Sequence, residues 1–150
     1  MQKITPFLWY DGQAEAAANL YVSIFKDSKI VSVSRNGAAV MSVTLELEGQ
    51  RLHAFNGGPH FKFTPAISLF VDCETQEEVD ELWGKLSAGG EESRCGWLKD
   101  RYGLSWQIIP KVLGQMLQDQ DPKKARNVMQ AMLKMSKIDI AGLKRAYAQA

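Results

Sequence analysis

The sequence is short of most of the residues that announce a chemistry. It has two cysteines, Cys73 and Cys95, in no CxxC pair, too few for a disulfide framework and wrongly spaced for a zinc knuckle. They read as buried, reduced thiols. It has two histidines, His53 and His60, and no run approaching eighteen apolar residues, so neither a histidine cluster nor a membrane-spanning helix is available. The start, MQKITPFLWYDGQ, carries no apolar core of signal-peptide length, and a cytoplasmic protein is expected. Net charge is also scarce. A formal +1 gives no global field for nucleic acid or a membrane surface, and neither is expected as a partner. No GxGxxG, phosphate loop, Ser-His-Asp or Cys-His arrangement can be read.

What is present is an ordinary globular composition, 45% apolar and 23% charged, in a chain of 150 residues that fits one domain. Ile4 to Tyr10 reads as a strand, broken by Asp11-Gly12, with Asp11 expected to cap the helix that follows. In that helix Ala17, Ala18, Tyr21, Val22 and Phe25 recur at helical spacing. Three strands follow, near residues 29–34, 40–47 and 51–55, the last two joined by a turn at Glu48-Gly49-Gln50. After the loop Asn56-Gly57-Gly58-Pro59-His60 the pattern restarts. A strand at 66–71 leads to Asp72, expected to act as a cap like Asp11, and to a helix through Leu86 opened by a Thr75/Glu78 capping box. Two short β segments then lie near 94–98 and 104–109, turned at 100–103.

The halves superpose. FLWYDGQAEAAANLYVSIF from Phe7 aligns without a gap on SLFVDCETQEEVDELWGKL from Ser68, and EGQRLHAF aligns on YGLSWQII through Gly49 and Gly103, which sets His53 against Gln107. The last forty residues carry three helical stripes. Asp121-Pro122 opens the second, and Asp139 caps the third with Ile138 and Leu143 as a staple. From Lys123 onward there are seven Lys/Arg and one acid, a basic tail expected either to complement the acidic helix at 74–81, or a partner, or to stand as a solvated face.

The repeat, with NGGPHFKF at 56–63 and CGWLKDRYGLSWQIIP at 95–110, resembles the vicinal oxygen chelate superfamily of glyoxalase I, bleomycin-resistance proteins and extradiol dioxygenases. Within it the chain is similar to the PhnB-like subgroup, often labelled 3-demethylubiquinone-9 3-methyltransferase, and the resemblance is taken to extend through the tail. It implies an α+β fold of two βαβββ modules, near 1–58 and 62–110, forming a curved mixed or antiparallel sheet around a cleft, with a helical tail at 111–150. It also implies a homodimer, often with elements exchanged. The methyltransferase label finds no support in the residues, because no Gly-rich strand-to-helix turn of a nucleotide-binding sheet occurs.

The superfamily's usual chemistry is metal-assisted, with four inward His, Glu or Gln ligands, one from the first and one from the last strand of each module. Carried over, these fall near Thr5, Ala66, His53 and Gln107. The first two cannot serve, so a metal-free site with no cofactor is expected. The expected ligand-binding residues are Trp9, His53, Phe55, Trp97 and Gln107, with His53 the one candidate acid/base. Trp9, Phe55, Phe61, Phe63, Trp97 and Trp106 could form an aromatic cage or simple core. Strand alternation allows only one of Trp106 and Gln107 on the open face, and the repeat favours Gln107. A small-molecule binding protein for an aromatic or amphipathic ligand is the expected function. A small-molecule enzyme with a degenerate metal site, or with His53 as acid/base, is the alternative.

Overall fold

The computed structural model describes residues 2–149. The chain divides into two compact units, residues 1–63 and 64–150, and the tail belongs to the second. The first unit is β1 (Phe7–Tyr10), α1 (Ala14–Ile24), β2 (Lys29–Asn36), β3 (Ala39–Leu47) and β4 (Gln50–Asn56). The second is β5 (Ser68–Cys73), α2 (Gln76–Ser87), β6 (Glu91–Glu92), β7 (Trp97–Lys99) and β8 (Ser105–Pro110), followed by α3 (Lys111–Leu117), α4 (Pro122–Met132) and α5 (Ile140–Ala148). The α+β architecture of two βαβββ modules is therefore observed. Its strands fall into two four-stranded mixed sheets, ordered β1-β4-β3-β2 and β5-β8-β7-β6, each with its first and last strands parallel.

Each sheet is half-buried because its strands alternate. In the first unit Leu8, Tyr10, Val43, Leu45, Leu52 and Ala54 pack against the face of α1 that carries Ala14, Ala17, Ala18 and Tyr21. Residues one position along point to the other face. Glu48 and Gly49 both adopt positive φ (48° and 88°), the backbone that a two-residue hairpin needs to match strand twist. The second unit repeats the scheme, with Leu98, Trp106 and Ile108 buried on the side of Val79, Leu82, Trp83 and Leu86 of α2.

Two expected caps are replaced. Asp11 does not cap α1; the Ala14 amide donates to the Asn56 side chain at 2.8 Å, while Asn56 also donates to the Val40 carbonyl at 3.0 Å. One amide at the end of β4 thus ties helix to sheet. Asp72 likewise yields to Thr75, whose hydroxyl accepts from the Glu78 amide, while the Glu78 carboxylate accepts from the Glu74 amide. In the tail Asp121 accepts from the Lys123 amide as expected. Asp139 makes no cap bond of its own; Gln76 reaches across from α2 and accepts from the Ile140 amide at 2.7 Å. Ile138 and Leu143 are both buried, in a small core with Ile109, Leu113 and Val128.

The tail docks on α2 of its own unit. Lys137 pairs with Asp80 at 2.8 Å, Lys111 pairs with Glu74, and Gln76 donates to the Ile138 carbonyl. Part of the basic tail therefore complements the acidic helix within one chain. These ends are exposed and screened by solvent, so the pairs contribute little and packing holds the tail.

Candidate functional site

The open face of the first sheet, opposite α1, is aromatic. Ladder register sets Phe7 opposite His53 and Trp9 opposite Phe55, so all four share one face. Phe55 stacks between Phe7 and Trp9, with ring centroids 5.3 Å from each, and Phe61 meets Trp9 edge-on at 4.9 Å. Phe7 is 59% exposed and Phe61 65%, an outlay of apolar surface that a ligand or partner would cover. The Trp9 indole is fixed by donating to the Gly58 carbonyl at 2.9 Å. Gly57 lets that ring lie flat on the loop, because a Cβ there would stand 2.3 Å from the indole. Asn56-Gly57-Gly58 is thus the seat of Trp9.

His53 is half-buried on this face, 6.0 Å from the Phe7 ring, and its Nδ1 shares a 3.0 Å hydrogen bond with the Thr44 hydroxyl. That contact anchors one side of the imidazole and leaves Nε2 as the nitrogen able to meet a ligand.

In the second unit Trp97 lies opposite Gln107 across the β7–β8 ladder, and Phe70 lies opposite Gln107 on the other side. The Gln107 amide donates to the Ser68 hydroxyl at 3.0 Å, which fixes its orientation. Beside Trp97 opens a recess of about 420 Å³ lined by Arg94, Cys95, Lys99 and Ser105, among others. Cys95 is half-buried at its rim with φ 61°, not a core thiol, whereas Cys73 is buried; neither forms a disulfide.

The expected residues thus fall into two groups. Trp9, His53 and Phe55 come together on the first sheet, and Trp97 and Gln107 on the second. Trp106 is 2% exposed on the α2 side, its indole donating to Asp100 at 2.9 Å, so it belongs to the core. Phe63 packs on Tyr10, away from the Trp9 cluster. His60 is exposed in the loop. Phe7 and Thr44 were missed, although Phe7 stands two residues before Trp9 and alternation alone assigns it the same face. The ladders also correct the internal repeat. Setting Phe7 on Ser68 makes Phe55, not His53, the counterpart of Gln107, because β4 runs from Gln50 to Leu52 before it meets β1 at His53, whereas β8 meets β5 at its first residue, Ser105.

The residues do not suit the superfamily's metal. Opposite His53 and Gln107 on the first strands stand Phe7 and Phe70, and a phenyl ring is no ligand. Among the described residues no group of three His, Cys, Asp or Glu converges.

Comparison with known proteins agrees with this architecture. Residues 2–109 match the family model described as 3-demethylubiquinone-9 3-methyltransferase. A PhnB protein from Bacillus cereus is 40% identical with a TM-score of 0.69, over 73% of this chain and 99% of its own. A Pseudomonas aeruginosa protein at 18% identity and TM-score 0.60 (73% and 98% covered) shares the fold. So does a genomically encoded fosfomycin resistance protein from Listeria monocytogenes, solved with Mn(II) and sulfate, at 16% identity and TM-score 0.51 over 71% of this chain and 90% of its own. No curated protein matches. The family match stops at residue 109, so the tail helices lie outside it, contrary to the expectation that the resemblance runs through them. Both modules fall inside it, and the chain belongs to the PhnB-like, 3-demethylubiquinone-9 3-methyltransferase family.

Proposed function

We propose that the chain is a small-molecule binding protein of the glyoxalase/bleomycin-resistance type, that it binds without a resident metal, and that its ligand presents an apolar or aromatic surface. The observation that carries this reading is the aromatic face of the first sheet. Phe7, Trp9, Phe55 and Phe61 stand together on an open β surface with two of the rings more than half exposed. A protein spends exposed aromatic area of this kind where something covers it. Phenyl rings where metal ligands would stand argue against metal-assisted chemistry on residue grounds. The methyltransferase label gains no support either, since both sheets are mixed and no Gly-rich strand-to-helix turn is present.

One observation favours the enzymatic alternative. The Thr44 contact holds His53 with one ring nitrogen engaged, the posture of an acid/base residue. Isothermal titration of chelator-treated protein with 1-naphthalenemethanol, a neutral aromatic probe, tests the binding reading. Saturable binding that falls at least about tenfold in Trp9→Ala is expected from loss of an aromatic contact surface. No saturable binding would refute it.

The same reading extends to a homodimer in the cytoplasm. Met129 on α4 and Leu133 at its C-cap, 42% and 53% exposed, offer an apolar stripe suited to a second copy. No helix of the described residues is long and apolar enough to cross a membrane.

A further inference from the structure

We infer that the recess beside Trp97, within the second unit, is an oxyanion pocket that takes a carboxylate or phosphate group attached to an apolar body lying on the Trp97 indole. The inference rests on the binding reading above and names the ligand's chemical class. The recess of about 420 Å³ lies on the open face of the second sheet, and none of its lining residues is acidic. Two cations line it, Arg94 and Lys99, and neither takes part in an ion pair among the described residues. Glu91 stands opposite Lys99 in the β6–β7 ladder, yet the two are not in ion-pair contact.

Ser105 supplies an independent observation. It is 2% exposed, it sits opposite Lys99 across the β7–β8 ladder, and it lines the same recess. Its hydroxyl has no hydrogen-bond partner among the described residues, although no buried side-chain polar atom that is sealed from the surface lacks one. The hydroxyl therefore opens into the recess. A hydroxyl that opens into the recess is hydrated while the recess is empty and is placed to donate to a ligand that displaces that water. A hydroxyl, an ammonium and a guanidinium around an indole match an oxyanion attached to an apolar body: Arg94 offers a fork, Lys99 a point charge, and Trp97 a flat wall.

The test compares three probes of one shape by isothermal titration: 1-naphthoate, 1-naphthyl phosphate and neutral 1-naphthalenemethanol. At least one anion is expected to bind about tenfold or more tighter than the neutral probe, the scale of one charged hydrogen bond. The stronger anion identifies carboxylate or phosphate as the natural head group. Ser105→Ala and Lys99→Met should each erase most of that preference and leave the neutral probe's affinity unchanged. Ser105→Ala should also leave the melting temperature nearly unchanged, because the hydroxyl bonds to no protein group among the described residues; a merely structural serine would lower it. Equal affinity for all three probes would overturn the oxyanion pocket and leave the binding reading standing. Failure of every probe to bind would remove both.

Discussion

Asp100 fixes the hairpin that carries Trp97 and Gln107, and its removal is the sharpest test of how that part of the second unit is built. Its carboxylate is 2% exposed and accepts three hydrogen bonds: from the Tyr102 amide at 2.9 Å, the Leu104 amide at 3.1 Å and the Trp106 indole at 2.9 Å. The first two hold the turn closed, and the third locks the turn to the core. In Asp100→Ala the Leu104 and Trp106 donors lose a charged acceptor inside the protein, at about 1.5–2 kcal/mol each; the Tyr102 amide is reached by water and costs less. The expected total is about 4 kcal/mol, or a fall of roughly 8–16 °C in melting temperature for a chain of this size. Asp100→Asn keeps one oxygen for the two amides but sets an NH2 against the indole N–H, so about half of that loss is expected. Paired with Trp106→Phe in a double-mutant cycle, Asp100→Asn should show a coupling of about 1–2 kcal/mol. Urea and thermal unfolding of the four proteins give the numbers. An Asp100→Ala loss under 1 kcal/mol, or an Asn variant as damaged as the Ala one, would refute this account of the hairpin.

Three further outcomes are expected. Gly57→Ala puts a Cβ 2.3 Å from the Trp9 indole, so the ring must leave its seat; tryptophan fluorescence should shift and affinity for 1-naphthalenemethanol should fall about as far as in Trp9→Ala. The tail should loosen at both ends of the pH scale. The Asp80 carboxyl is held below its ordinary range, first by the hydrogen bond from Lys137 and then by that from Gln76, and Asp119 is lowered chiefly by the bond from Tyr147. That stability is present above the usual carboxylate value of about 4 and is lost as pH falls through the lower folded values. The Tyr147 phenol is raised, mainly by the same bond to Asp119, so its contribution is present below about pH 10 and lost as pH rises through the higher folded value. Hydrogen exchange of α4 and α5 should show both limbs, and Tyr147→Phe should abolish the alkaline one. Sedimentation at micromolar concentration should give a dimer that Met129→Lys with Leu133→Lys converts to monomer; a wild-type monomer would contradict the assembly.

The modules were legible because hydrophobic period decided them. Alternation over Met41 to Leu47 and helical spacing over Ala17 to Phe25 leave little choice of element, and the same alternation keeps His53 and Phe55 on one face and Trp106 off the face of Gln107. What was not legible depended on partners distant in sequence. Asp11 has the composition of a helix cap, but Asn56 reaches the Ala14 amide first, and only the folded loop shows it; the Thr75/Glu78 box that opens α2 was legible. The two-residue shift between His53 and Gln107 arises because β4 meets β1 four residues after Gly49 and β8 meets β5 two residues after Gly103, a difference that a match on the two glycines conceals. The two-residue strand β6 is too short to leave a period. Ser105 carries no signal in the sequence, since a hydroxyl that opens into a recess is a property of packing.

The central claim is metal-independent recognition of a small apolar-bodied molecule. One preparation without a histidine tag should be analysed for Zn, Ni, Fe and Mn and titrated with 1-naphthalenemethanol before and after chelator treatment. The account predicts well under one equivalent of metal and the same affinity in both titrations. Stoichiometric metal lost in His53→Ala, with binding that vanishes on chelation and returns with the ion, would contradict it.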